Sequence, residues 1–183
     1  WSRKWNTADL VTKSKSIDAG GYTIYAVSAP KDKSHLSEAK YATASVNLRS
    51  GFISATTSGA TVAKGDDLKI TGIAQGNPLN VFVWIFGKNY YGDPGKLNVR
   101  QASVESDGSF ELKLGSSVTK DLAAGQYFVI VQHPMGVTGD AGSIHVTANG
   151  EIWGGGISSA DPIPLTGLQA PAAASALINL LDS

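Results

Sequence analysis

The sequence contains no cysteine, which excludes a disulfide framework, a thiolate zinc site and a cysteine nucleophile. Charge is also scarce. Only 16% of the 183 residues are charged, against about 25% in an ordinary globular chain. The 15 basic and 15 acidic side chains cancel, and neither sign is gathered into a block. Nucleic acid and anionic lipid therefore find no electrostatic footprint and are set aside as partners. No apolar run approaches the ~20 residues that cross a bilayer, so no membrane-spanning segment is expected. The chain opens on Trp1 without a hydrophobic leader, which reads as a processed or excised piece.

What the sequence has instead is 21 glycines and an abundance of Thr, Ser, Ala and Val, a composition of strands and turns. From Phe52 onward, short apolar runs alternate with turn residues at sandwich spacing. Strands are expected near 52–57, 67–75, 80–87, 97–105, 109–114, 126–133 and 142–148. Asp107-Gly108 marks a two-residue hairpin, whose central positions both need φ > 0. The run Val81-Phe82-Val83-Trp84-Ile85-Phe86 is apolar on both faces, which suits a central strand and makes Trp84 a core residue.

An internal repeat sets the domain count. Ile17-Asp18-Ala19-Gly20-Gly21-Tyr22-Thr23-Ile24-Tyr25-Ala26 lines up with Leu122-Ala123-Ala124-Gly125-Gln126-Tyr127-Phe128-Val129-Ile130-Val131, and a proline follows each, Pro30 and Pro134. In both, an Ala-Gly-x-Tyr step leads into an apolar strand. That is the pattern of a tyrosine corner, where the phenol bonds back to the backbone ahead of the penultimate strand of a sandwich. Tyr22 and Tyr127 each mark the end of one sandwich, and only Tyr127 has a whole domain upstream. Residues 1–50 are thus expected to be the C-terminal strands of a truncated immunoglobulin-like domain. Residues 51–148 read as a complete immunoglobulin-like β-sandwich. Residues 149–183 read as a Gly/Pro linker, with Gly154-Gly155-Gly156 and Asp161-Pro162-Ile163-Pro164, leading to an Ala-rich helix at 171–181. Leu177, Ile178 and Leu181 fall on one face of that helix. The fold class is all-β.

The segments WNT…AGGYTIYAVSAP, FISATTSGATVAKGDDLKITG, VFVWIFGKNYY, VESDGSFELKL, LAAGQYFVIVQHPM and LQAPAAASALINLLDS cover nearly the whole chain. Together they resemble repeat-containing, S-layer-like surface proteins of methanogenic archaea. The resemblance implies an extracellular, cell-envelope location and a structural role. It carries no biochemical activity and no catalytic residues.

His35, His133 and His145 have no second histidine at i+2 or i+4, and no serine stands in a Gly-x-Ser-x-Gly elbow, so an enzyme is not expected. No Lys-Ser/Thr follows the glycine run, so it is no phosphate loop. Asp66, Asp67, Asp93, Asp107 and Asp140 lie in turns, where carboxylates cap amides; no cofactor is implied, with calcium the secondary reading. Trp84, Phe86, Tyr90 and Tyr91 are either core residues or a glycan-stacking platform. The leading function is a structural module that assembles with further copies of itself or with other surface proteins. The rival is a carbohydrate-binding or adhesive module.

Overall fold

The computed structural model describes residues 2, 19–28, 33–48, 51–76, 78–134 and 143–182. Trp1, Trp5, Asp140 and the Ile17-Asp18 start of the first repeat lie outside them. The chain is mostly β and separates into two compact units, 1–50 and 51–183. In the first, β1 (Gly20–Val27) and β2 (Tyr41–Leu48) pair antiparallel over their full length, from Gly20 opposite Leu48 to Val27 opposite Tyr41. Strand alternation places Tyr22, Ile24, Ala26, Ala42, Ala44 and Val46 on one face. The other face is polar and aromatic, with the Tyr25 and Tyr41 rings 5.9 Å apart.

The second unit runs β3 (Ile53–Thr57), β4 (Leu68–Ala74), β5 (Asn80–Phe86), the short β6 (Gly92–Asp93) and β7 (Lys96–Leu97), β8 (Arg100–Ser103) and β9 (Ser109–Leu114). A helical turn, α1 (Ser116–Thr119), leads to β10 (Phe128–Gln132), β11 (Ile144–Val146), β12 (Glu151–Gly154) and β13 (Ile163–Pro164). Helix α2 (Ala170–Leu181) follows. Sheets β3-β4-β9 and β10-β5-β8, both antiparallel, form an immunoglobulin-type sandwich with β5 at the centre of its sheet.

Strand β5 explains the layering. Its odd positions Val81, Val83 and Ile85 pack with Ile70, Ala74, Phe110 and Leu114 in the sandwich interior. Its even positions Phe82, Trp84 and Phe86 point the other way and pack with Ile144, Ile152, Leu165, Ala173, Ala174, Leu177 and Leu180. The third layer is the small sheet β11-β12-β13 together with α2. A strand apolar on both faces needs cover on both, and here two separate cores supply it. Among the described residues no helix is long and apolar enough to cross a membrane.

Four sequence expectations are corrected. The expected strand 142–148 is present as β11 but pairs with β12, outside the two sandwich sheets, because Asn149-Gly150 turns the chain back on itself: Thr147 N donates to Glu151 O at 2.9 Å and Gly150 adopts φ +79°. The expected linker is consequently structured, and Ile152 and Leu165 are fully buried. Helix α2 buries Ala173, Ala174, Leu177 and Leu180 and exposes Ile178, so its apolar contact is rotated toward the small residues that allow close approach to the sheet. The hairpin at Asp107-Gly108 has a three-residue loop. Glu105 N donates to Ser109 O at 2.8 Å, Gly108 N to Glu105 O at 2.9 Å, and only Gly108 takes positive φ (+86°). Asp107 keeps negative φ because its carboxylate accepts from Ser109 N at 2.9 Å and Ser109 Oγ at 2.7 Å.

Candidate functional site: an open sandwich edge

The four rings considered as a glycan platform are all buried. Trp84 is 1% exposed, and its Nε1 donates to the buried Gln132 Oε1 at 2.9 Å. Phe86 lies edge-on to Tyr91, centroids 6.4 Å apart, and Tyr91 Oη donates to Leu168 O at 2.8 Å. Tyr90 lies edge-on to Tyr127 at 6.1 Å. These residues fix the layers and present no flat surface to solvent. A concavity of about 850 Å³ at β3, β4, β8 and β9 is lined by Ser54, Thr71, Ser109 and Glu111 together with Ala55, Ile73 and Ala102; its one ring, Phe110, is buried.

Tyr127 sits as a corner residue. Its Oη donates to Ala123 O at 2.9 Å, and burial pushes the phenol pKa up, helped by the neighbouring Tyr90. The ring lies directly over Gly87, where a Cβ would overlap it. Tyr22 is half-buried in β1 opposite Val46. The glycines two residues before each tyrosine have nearly the same φ, +157° at Gly20 and +153° at Gly125.

Three of the turn carboxylates, Asp67, Asp93 and Asp107, are occupied locally. Asp67 pairs with Lys113 at 2.6 Å and accepts Ser116 N at 3.0 Å; the Lys113 hydrogen bond holds its carboxyl below the usual range. The Ser109 hydrogen bonds lower Asp107 likewise. Asp93 Oδ2 accepts from Asn98 Nδ2 at 2.7 Å, and Arg100 Nη2 lies 3.4 Å from Asp93 Oδ1. His133 Nε2 donates to Gln75 O at 2.8 Å, and the His145 ring stacks on Trp153 with centroids 3.9 Å apart. Among the described residues no three His, Asp or Glu side chains cluster where a metal ion would fit.

The remaining feature is the edge of the sandwich between β3 and β10. Among the described residues each is the end strand of its sheet. Between them runs a groove of about 410 Å³ lined by Ile53, Ala55, Thr56, Thr57, Ile70, Val129 and Val131. It meets a second cavity of about 630 Å³, walled by Val62, Leu68, Leu122 and Tyr127, through the shared residues Thr57 and Val129. The opposite edge is different in kind. There β8 carries Arg100 and β9 carries Glu111 and Lys113, whereas β3, β10 and the hairpin strands β1 and β2 carry no charge and no proline. No motif in the sequence singles this edge out, yet its signal is there: two segments, 53–57 and 128–132, with strand composition and none of the charges that guard natural edges.

No protein-family model, curated protein or solved structure matches the chain.

Proposed function

We propose that the chain is a structural module of an extracellular surface protein, of the S-layer, sheath or filament kind found on archaeal cells, and that it works by assembling with other copies through strand edges. The observation that carries this reading is the asymmetry of the sandwich edges: β8 and β9 carry Arg100, Glu111 and Lys113, whereas β3 and β10 carry no charged side chain. Unguarded edges template the addition of another strand, and proteins that must stay monomeric blunt them with lysine, proline or bulges. The resemblance to archaeal surface proteins supports the location. Analytical ultracentrifugation of the full chain over a wide concentration range tests the proposal. The weight-average mass is expected to rise with concentration, and a strict monomer at the highest concentration overturns it.

A further inference from the structure

We propose that the cavity at one end of the sandwich binds a free single-chain amphiphile, a hydrocarbon tail with a carboxylate head. The inner core does not close at this end. Ile85 and Leu114 are fully buried there, but Leu68, Leu122, Tyr127 and Val129, which pack against the same core, are left only half-buried. All six line a cavity of about 630 Å³ bounded by the connections 58–67, from β3 to β4, and 115–127, from β9 to β10. Small-molecule sites run to about 300–1,000 Å³, so the space takes one ligand. Protein interiors interdigitate to the density of organic crystals, and aliphatic side chains half-buried around such a space are short of apolar contacts. A hydrocarbon tail supplies them.

The polar groups of the wall favour a hydrocarbon over a sugar. Thr57 Oγ1 donates to Gly59 O at 3.1 Å, Thr119 Oγ1 to Asp66 O at 2.7 Å and Tyr127 Oη to Ala123 O at 2.9 Å, so three hydroxyl hydrogens are already engaged. The Tyr127 ring is held over Gly87 and edge-on to Tyr90, which takes it out of use as a stacking platform. Charge enters only at Lys64, the one charged residue that lines the cavity. Lys64 is exposed and makes no ion pair among the described residues, whereas Lys69 and Lys113 are taken by Glu111 and Asp67. Asp66 follows in the same turn but does not line the cavity. A free ammonium on a flexible stem at the rim of an apolar space complements an anionic head, which stays hydrated while its tail is buried. No charge has to leave water.

Dodecanoate, titrated below its micelle concentration into the full-length chain, is the probe. Calorimetry is expected to show saturation at one molecule per chain. NMR should show nuclear Overhauser contacts from the methylene protons of the tail to the methyl groups of Leu114 and Val129. Lys64→Glu, at an exposed position where the chain is expected to fold, should weaken binding about tenfold or more. Dodecyltrimethylammonium, with the same tail and the opposite head, should bind the parent chain more weakly by a similar factor. Failure to saturate overturns the site, and so does saturation without contacts to Leu114 and Val129. Equal binding of the two amphiphiles, or dodecanoate binding that Lys64→Glu leaves unchanged, overturns the anionic head and with it the ligand class. None of these outcomes depends on whether the chain associates with other copies, which ultracentrifugation reads separately.

Discussion

The two faces of β5 are built from different side chains for different tasks. Toward the sandwich interior it presents Val81, Val83 and Ile85, β-branched residues that pack with Ile70, Ala74 and Leu114 and the single ring of Phe110 on the β3-β4-β9 sheet. Outward it presents Phe82, Trp84 and Phe86, which meet a helix and a three-stranded scrap of sheet. Aliphatic residues suffice on β5 itself where two regular sheets face each other at about 10 Å. Large rings are needed where the cover is irregular, because each fills more of an uneven gap and Trp84 also satisfies Gln132. The comparison teaches that residues 149–182, poor in regular strand pattern, are as much a part of the core as the strands. Without them an aromatic patch would stand open to water.

The largest effect is expected at Trp84. Trp84→Ala removes the biggest fully buried side chain and should cost about 3–5 kcal/mol in chemical denaturation. Val83→Ala, on the inner face, should cost about 1.5–3 kcal/mol. The reverse order would mean that the outer layer is only loosely attached. Trp84 emission should be blue-shifted and indifferent to soluble oligosaccharides. Next comes Leu177→Ala in α2, expected to cost about 2–5 kcal/mol within the same single transition that strand variants report. A separate, earlier transition for this variant would split the third layer from the sandwich and break the comparison.

The sandwich strands were legible because their signal is local: alternation, β-branched residues, and turns at regular intervals. Their observed bounds differ from the expected ones by at most three residues at either end. The tail was not legible, for two reasons that specific residues make plain. Asn149-Gly150 builds the same three-residue hairpin as Asp107-Gly108, glycine at φ +79° in one and +86° in the other, yet the glycines that follow the first disguise it as a linker. The residues that make the tail a core element, Ile152, Leu165, Ala173 and Leu177, are spaced by tertiary packing rather than by any period. The buried face of α2 differs from the expected one for the same cause: Ile178 is more hydrophobic than Ala174, but Ala174 is buried and Ile178 is exposed. That β11 pairs with β12, outside the two sandwich sheets, is a choice no local pattern announces.

A smaller effect is expected at Tyr127, which belongs to the inner core but bonds to the backbone. Tyr127→Phe keeps the ring over Gly87 and removes the 2.9 Å bond to Ala123, at a cost of about 1–2 kcal/mol. The phenol also gives this site a pH signature. Its folded pKa is raised, chiefly by burial, so the protonated form is favoured in the native state. Its contribution is complete below the unfolded tyrosine value and is lost as pH rises through the folded one. The alkaline arm of a stability–pH profile should therefore be shallower in Tyr127→Phe than in the parent chain. An identical alkaline arm would place the hydroxyl in water.

The smallest effect lies outside both cores, and it serves as the control for them. Asp67 is held below the usual carboxylate range first by the Lys113 hydrogen bond and then by that lysine's charge, with Ser116 N adding to both. A depressed carboxyl contributes stability above its unfolded value and loses it as pH falls through the folded value. Both partners are about half exposed, so solvent screens the pair and the contribution is small. Asp67→Asn should therefore lower stability slightly near neutrality, converge on the parent chain in acid, and matter less as salt is added. The cost of Trp84→Ala should behave otherwise. Its neighbours in the outer core are apolar, so its penalty should be the same at neutral and acid pH and insensitive to moderate salt. If that penalty instead shrinks in acid along with the Asp67 difference, the third layer has come away before the sandwich unfolds, and the two faces of β5 are held by cores of unequal strength.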